Sequence, residues 1–382
     1  MRPKSNKVAR SPGKIILSGE HSVVYGAPAL VAAIDQFTDV WFKPLHQSRV
    51  LQTAFGNISK GEVYPLEALG QLRQKLDDRF ERFEKGQLPI QQILQRPDDL
   101  VIYTIARLLV TFPVPGVKSG GGFPVPGRLS SRSDLPLGAG MGSSAAIIAA
   151  TMVLYEHFLG KEISEQTRFE WVRFCERLQH GKGSAVDAAA VIYGGLNRVE
   201  ADQVSAVEDK DRAVDLGDGW YWVLTGIPAA STGECVASVR REHGKDAALW
   251  QSFADVANAL QDQLIAGADC LAQLRENHKL LSHIGVVTEP ARRFVDEVEA
   301  AGGAAKISGA GSIKGDNSGI VLVRMHDHEA MKRLMANWSQ WSWKSLNVSN
   351  AGAHLFDQRT AEIESRAQVA GSNELDAPST AR

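Results

Sequence analysis

Apolar residues along this chain change their spacing several times, and each change predicts an element. Residues 13–18 and 29–43 carry β-branched and aromatic side chains in short runs separated by Tyr25-Gly-Ala-Pro28, a pattern of strand, turn and strand. Helical spacing follows, with Leu66, Leu69, Leu72 and Leu76 inside 65–86, then Leu100, Ile105, Leu108 and Leu109 inside 97–112. The apolar, alanine-rich stretch Ala145 to Phe158 predicts a helix closed by Gly160, and a second helix spans 164–179. A tight loop over 181–186 and a strand over 191–199 are expected next.

The charged segment 200–218 then separates this half from Trp220-Tyr-Trp-Val-Leu-Thr225, read as the first strand of a second domain. Amphipathic helices are expected over 247–277 and 289–301, and strands over 319–325 and 343–349. Phe-Pro-Val-Pro-Gly occurs at 112–116 and again at 123–127, and that density of proline and glycine predicts an irregular surface excursion. From Glu364 onward the chain is polar and aperiodic, as in a disordered tail. The division is therefore 1–210, 211–365 and a tail over 366–382, with the domain boundary near 205–217.

Composition narrows the chemistry. With 382 residues, 44% hydrophobic and 23% charged, the chain is long enough for about two domains with real cores. A net charge of −2 gives no reason to invoke nucleic acid or an acidic membrane. Cys175, Cys235 and Cys270 are odd in number and widely spaced, which argues against a disulfide framework or structural zinc. The most apolar run falls short of the ~20 residues a spanning helix needs, so a cytoplasmic protein handling a small molecule is expected.

The densest chemical signal is Leu135-Pro-Leu-Gly-Ala-Gly-Met-Gly-Ser-Ser-Ala-Ala146, a glycine-rich turn running into a helix. Its glycines let the backbone approach an anion, and the helix's first free N–H groups point at it. Ser143 and Ser144 add hydroxyls for phosphate or a metal ion. A Walker loop would need Gly-Lys-Ser/Thr at its end, and the dinucleotide fingerprint wants glycine where Ser143 stands.

Two further glycine-bearing motifs flank it, Ser11-Pro-Gly-Lys-Ile-Ile-Leu-Ser-Gly-Glu-His-Ser-Val-Val-Tyr25 and Ala305-Lys-Ile-Ser-Gly-Ala-Gly-Ser-Ile-Lys-Gly315. In this order the three resemble the GHMP small-molecule kinases over roughly residues 8–325, and the first looks most like the mevalonate kinase branch. The resemblance implies an α+β fold of two domains, an N-terminal ribosomal-protein-S5-like nucleotide-binding domain and a C-terminal ferredoxin-like one, with the active site in the cleft between them. It implies ATP and Mg2+ as cofactors and phosphorylation of a primary alcohol, foremost mevalonate to 5-phosphomevalonate in isoprenoid precursor synthesis. Phosphomevalonate, homoserine or a sugar is the alternative acceptor, and a non-catalytic ligand sensor of the same fold the alternative class. Beyond the small molecule, the only partner to expect is a second copy in a homodimer.

The same resemblance assigns roles. Pro136, Gly138, Ala139, Gly140, Gly142, Ser143, Ser144 and Ala145 would hold the nucleotide phosphates. Glu176-Arg-Leu-Gln-His-Gly-Lys-Gly-Ser-Ala-Val-Asp187 is similar to a family run whose glutamate holds magnesium and whose aspartate faces the substrate hydroxyl. Ser144 and Glu176 would thus ligate Mg2+, Asp187 would orient the hydroxyl, and Lys14 would stabilise the developing charge. Glu20, His21, Arg198, Ser231, Thr232, Gly309, Ala310 and Gly311 would contact the acceptor. Two departures stand out. Ser312-Ile313-Lys314 replaces further glycines in the third motif, where Lys314 is a source of charge. Ile227-Pro-Ala-Ala-Ser-Thr-Gly-Glu234 stands where the mevalonate kinases commonly carry two arginines.

Overall fold

The computed structural model describes residues 7–45, 49–56, 59, 61–112, 126–209 and 212–357. Most of the duplicated Phe-Pro-Val-Pro-Gly excursion and the expected tail lie outside the described residues.

The first half runs β1 (Lys7–Ser18), β2 (Ala29–Pro44), β3 (Val50–Phe55), β4 (Val63–Pro65), α1 (Leu69–Glu84), α2 (Asp99–Thr111), β5 (Gly127–Ser133), α3 (Ser143–Leu159), α4 (Glu165–His180), α5 (Ala185–Tyr193), β6 (Leu196–Glu200) and β7 (Gln203–Ala206). A small hairpin, β8 (Glu208–Asp209) and β9 (Arg212–Ala213), leads to the second half. There follow β10 (Trp220–Leu224), α6 (Thr232–His243), α7 (Ala247–Ile265), α8 (Leu271–His283), α9 (Glu289–Ala300), β11 (Ala304–Ser308), β12 (Ile320–Arg324), α10 (His328–Asn337), β13 (Ser342–Ser345) and β14 (His354–Asp357).

Two main sheets result. The larger runs β14-β1-β2-β5-β3-β4, with β6 also paired to β2 and β7 to β6, and the smaller runs β11-β12-β10-β13. The strand β14 lies inside the expected second domain yet pairs antiparallel with β1, Lys7 opposite Asp357. The helix α3 packs on β1 and β2. It is buried on every side, from Ala145 through Glu156, because apart from Thr151 and Glu156, the latter paired with Arg168, its residues there are apolar all round.

Several expectations are corrected. The loop and strand expected over 181–199 contain the helix α5: Ser184 caps it by accepting from the Asp187 N–H, and alanines carry it on to Tyr193. The β-branched pair Val191 and Ile192 suggested a strand but packs as buried helix. The long helix expected over 247–277 breaks at Gly267, whose φ of 62° is left-handed.

Candidate functional site

The strand β1 is the spine of the site. Its pairing with β2 shifts register between Pro12 and Gly13 and again between Ile16 and Ser18, and Lys14 lies between the two irregularities. The Lys14 N–H donates to the Met141 carbonyl at 3.0 Å, tying the strand to the glycine-rich turn. Gly13 makes that approach feasible, since a Cβ there would stand 2.3 Å from Leu135 Cδ2.

The turn itself needs glycine. Gly142, the residue before α3, has φ 75° and ψ 26°, and a Cβ on it would meet Lys14 Cγ at 2.8 Å and Asp187 Oδ1 at 3.6 Å. The turn is seated against the second half, because Gly138 faces Ile227 and Gly140 faces the Ser308 carbonyl. Pro136 lies in the same segment, ahead of Ala139 and Ala145, both of which are buried.

Two helix N-termini converge here. Ser144, in the first turn of α3, donates its hydroxyl to Glu176 Oε1 at 2.7 Å. Asp187, in the first turn of α5, forms an ion pair with Lys14 at 2.9 Å. Lys14 is almost fully buried, whereas a fifth of the Asp187 side chain is exposed. Burial pushes the Asp187 carboxyl up, but the Lys14 charge and hydrogen bond outweigh it and hold the group below its ordinary range. Glu176 goes the other way: burial first, then the Asp187 charge, raise it to about 8. Its Oε2 is buried without a hydrogen-bond partner.

A carboxyl with one oxygen held by a serine hydroxyl and the other unpartnered suits a hard cation. Mg2+ takes few protein oxygens and keeps waters and phosphate oxygens for the rest. A larger cluster of metal-binding side chains is absent among the described residues.

The remaining predicted residues divide. Glu20 gives its carboxylate to Lys306 on β11, with both side chains wholly buried. Burial raises the Glu20 carboxyl and lowers the Lys306 ammonium against their mutual attraction. His21 Nε2 hydrogen-bonds the Ala310 carbonyl at 3.0 Å, joining the first motif to Gly309-Ala310-Gly311. Ser231 caps α6 in a capping box with Glu234, and Thr232 is the first residue of that helix. Ser312 ties the segment to the third motif by accepting from the Ala230 N–H at 3.3 Å.

Arg198 stands apart from this cluster. Its guanidinium binds Glu200, Asn258 and Gln261 beside an open cavity of about 320 Å³ lined by Glu200, Gln203, Val204 and Ser205. Lys314 pairs with Glu234 at 2.6 Å on the surface, both half-exposed. Ile313 is spared the left-handed backbone, which among the described non-glycine residues occurs only at Ala201 and Asp202.

Sequence reasoning passed over Lys306 and Ser308. Lys306 Nζ donates to the Ile16 carbonyl at 3.3 Å, and the Ile16 N–H donates to Ser308 Oγ at 2.8 Å. Tyr25 stacks on Trp250 of α7 with ring centroids 3.9 Å apart. The loop after β1 is thereby fastened to the second half.

The glycine-rich turn, the Lys14–Asp187 pair beneath its last glycine and the partly unpartnered Glu176 carboxyl beside it form an arrangement that can serve phosphoryl transfer to a small molecule. Comparison with known proteins agrees. The family model "GHMP kinases N terminal domain" matches residues 101–195. The chain is 30% identical over 316 residues to a mevalonate kinase of Thermococcus onnurineus, covering 80% of this chain and 86% of that protein. It is 27% identical, at the same coverage, to a mevalonate kinase of Pyrococcus furiosus. A crystal structure of mevalonate kinase shares the fold, with a TM-score of 0.74 at 20% identity, over 90% of this chain and 99% of that one. The chain belongs to the GHMP kinase family, and it is a phosphotransferase acting on an alcohol. Membership implies ATP as the phosphoryl donor. No helix among the described residues is long and apolar enough to cross a membrane.

Proposed function

We propose that the chain transfers the γ-phosphoryl group of ATP to the primary hydroxyl of mevalonate, with Mg2+ held by Ser144 and Glu176. The observation that carries this reading is the Lys14–Asp187 pair directly beneath Gly142 and beside Ser144–Glu176. The identity to mevalonate kinases across four fifths of the chain supports the choice of acceptor.

Phosphoryl transfer passes through a loose transition state, so the protein's work is alignment and charge compensation. Backbone N–H groups of the turn and of the α3 N-terminus hold the phosphate oxygens. A magnesium ion bound at Ser144 and Glu176 would neutralise charge on the bridging oxygens. Asp187, kept ionised by Lys14, accepts a hydrogen bond from the acceptor hydroxyl and takes its proton late, when the oxygen has become acidic. A weak base suffices because a loose transition state asks for little nucleophile activation. Lys14 places its ammonium where negative charge gathers.

One observation favours a different acceptor. In the segment replacing the usual arginines, the apolar Ile227 is 65% exposed next to Gly138 and the Ser231 hydroxyl is committed to capping, so neither offers a charge to a carboxylate. An ADP-release assay with mevalonate, phosphomevalonate, homoserine and galactose decides the matter. Turnover of mevalonate above the others is expected, and turnover of another alcohol with none of mevalonate overturns the acceptor.

A further inference from the structure

The strand that carries Lys14 is gripped from two directions. On one side its backbone is bonded to the glycine-rich turn through Met141. On the other, where the pairing with β2 slips between Ile16 and Ser18, both backbone groups of Ile16 are taken by side chains of β11. Ser308 accepts the Ile16 N–H and Lys306 donates to the Ile16 carbonyl. The Lys306 ammonium is in turn held by Glu20, which follows β1 in the chain, and neither side chain is exposed to solvent.

We propose that the buried Glu20–Lys306 pair, with Ser308, is a positioning device that sets Lys14 relative to Asp187 and the glycine-rich turn, so that Glu20 acts through Lys306. The inference rests on the reading of Lys14 and Asp187 as the reacting pair.

Stability alone is a poor reason for such a pair. Desolvating two charges offsets most of their attraction, and a well-packed apolar replacement of both is often neutral or stabilising. Position is a better reason. An ammonium offers directional donors that an apolar side chain lacks, and here one of them reaches a carbonyl two residues beyond Lys14. The carboxylate fixes where that ammonium sits. Small displacements of a catalytic group are costly, about 10²-fold for a shift of ~1 Å.

The test compares Lys306→Met, Glu20→Gln and the double variant Glu20→Leu/Lys306→Met with wild type, using Lys14→Met as a reference. Each is assayed for ADP release at saturating ATP and saturating alcohol, for KM and for Tm. A paired apolar replacement should regain Tm relative to the singles. Its kcat is nevertheless expected to stay at least ~10-fold below wild type, with KM for ATP within ~3-fold, the pattern of a lost transition-state interaction. Recovery of kcat together with Tm overturns the proposal, as does an effect confined to KM. Should the double variant fail to fold, Ser308→Ala decides. It removes only the hydroxyl that accepts the Ile16 N–H and is expected to lower kcat ~3- to 10-fold at unchanged KM; wild-type kcat there overturns the proposal. Full turnover by Lys14→Met would instead overturn the reacting pair itself, a separate failure.

Discussion

Lys14–Asp187 and Glu20–Lys306 are both lysine–carboxylate pairs at β1, six residues apart in the chain, and their surroundings differ sharply. Asp187 keeps a fifth of its side chain exposed beside the glycine-rich turn, while the side chains of Glu20 and Lys306 are wholly buried. The first pair has room for a hydroxyl to arrive and a proton to leave. The second has no such access, and its effect must pass through the backbone it holds. In the proposed mechanism, residues of one chemical type take different duties according to solvent access, which sequence does not display.

Removing the accessible partner should do the most damage. Asp187→Asn is expected to lower kcat by ~10² to 10⁴ while nucleotide binding persists, since the loss falls on proton transfer and alignment. An ADP-release assay beside a nucleotide-binding titration checks this, and a loss confined to binding would place Asp187 outside the reaction.

A smaller effect is expected where the turn meets the pair. Gly142→Ala forces a left-handed alanine, costing ~1–2 kcal/mol, and brings its methyl against Lys14. Tm should fall and kcat should drop ~10- to 100-fold. Wild-type kcat in a folded variant would show that the turn and Lys14 are independent.

Glu176 sharpens the comparison through pH. Its folded carboxyl titrates near 8 against an ordinary value of 4.5, so between these values the folded chain keeps a proton that the unfolded chain has shed. Stability from this group is therefore present below about 4.5 and lost as pH rises through about 8. Glu176→Gln removes that dependence. In the absence of nucleotide and divalent cation, the Tm of the variant relative to wild type should climb from pH 5 to pH 8.5, reflecting up to a few kcal/mol. A flat difference would mean that Glu176 is already paired. The smallest effect belongs to Lys314→Ala, which breaks only a surface pair and should leave kcat and Tm close to wild type.

Legibility in the sequence followed the range of the interactions. The helix α3 and its glycine-rich entrance were readable because composition, caps and turn chemistry all act within a few residues. Lys14, Ser144, Glu176 and Asp187 were singled out by their motifs, and the fold brings all four together. The helix α5 was missed because β-branched residues near its end outweighed the alanines, although Ser184 was a legible cap. The burial of Lys306 was not legible, because the partner that makes a buried lysine tolerable, Glu20, lies 286 positions away, although its immediate neighbours Ala305 and Ile307 are buried core residues. The return of β14 to β1 was equally hidden, because four residues of modest pattern say nothing of their partner strand.

Lys7–Arg10 pair with residues 354–357, and Ile16 waits for β11. During synthesis at ~5–20 residues per second, the edge of the N-terminal hairpin stays unpaired for tens of seconds after it has emerged from the ribosome. A nascent chain interrupted before β11 would present an open strand edge to its neighbours, a template for aggregation rather than a partial enzyme.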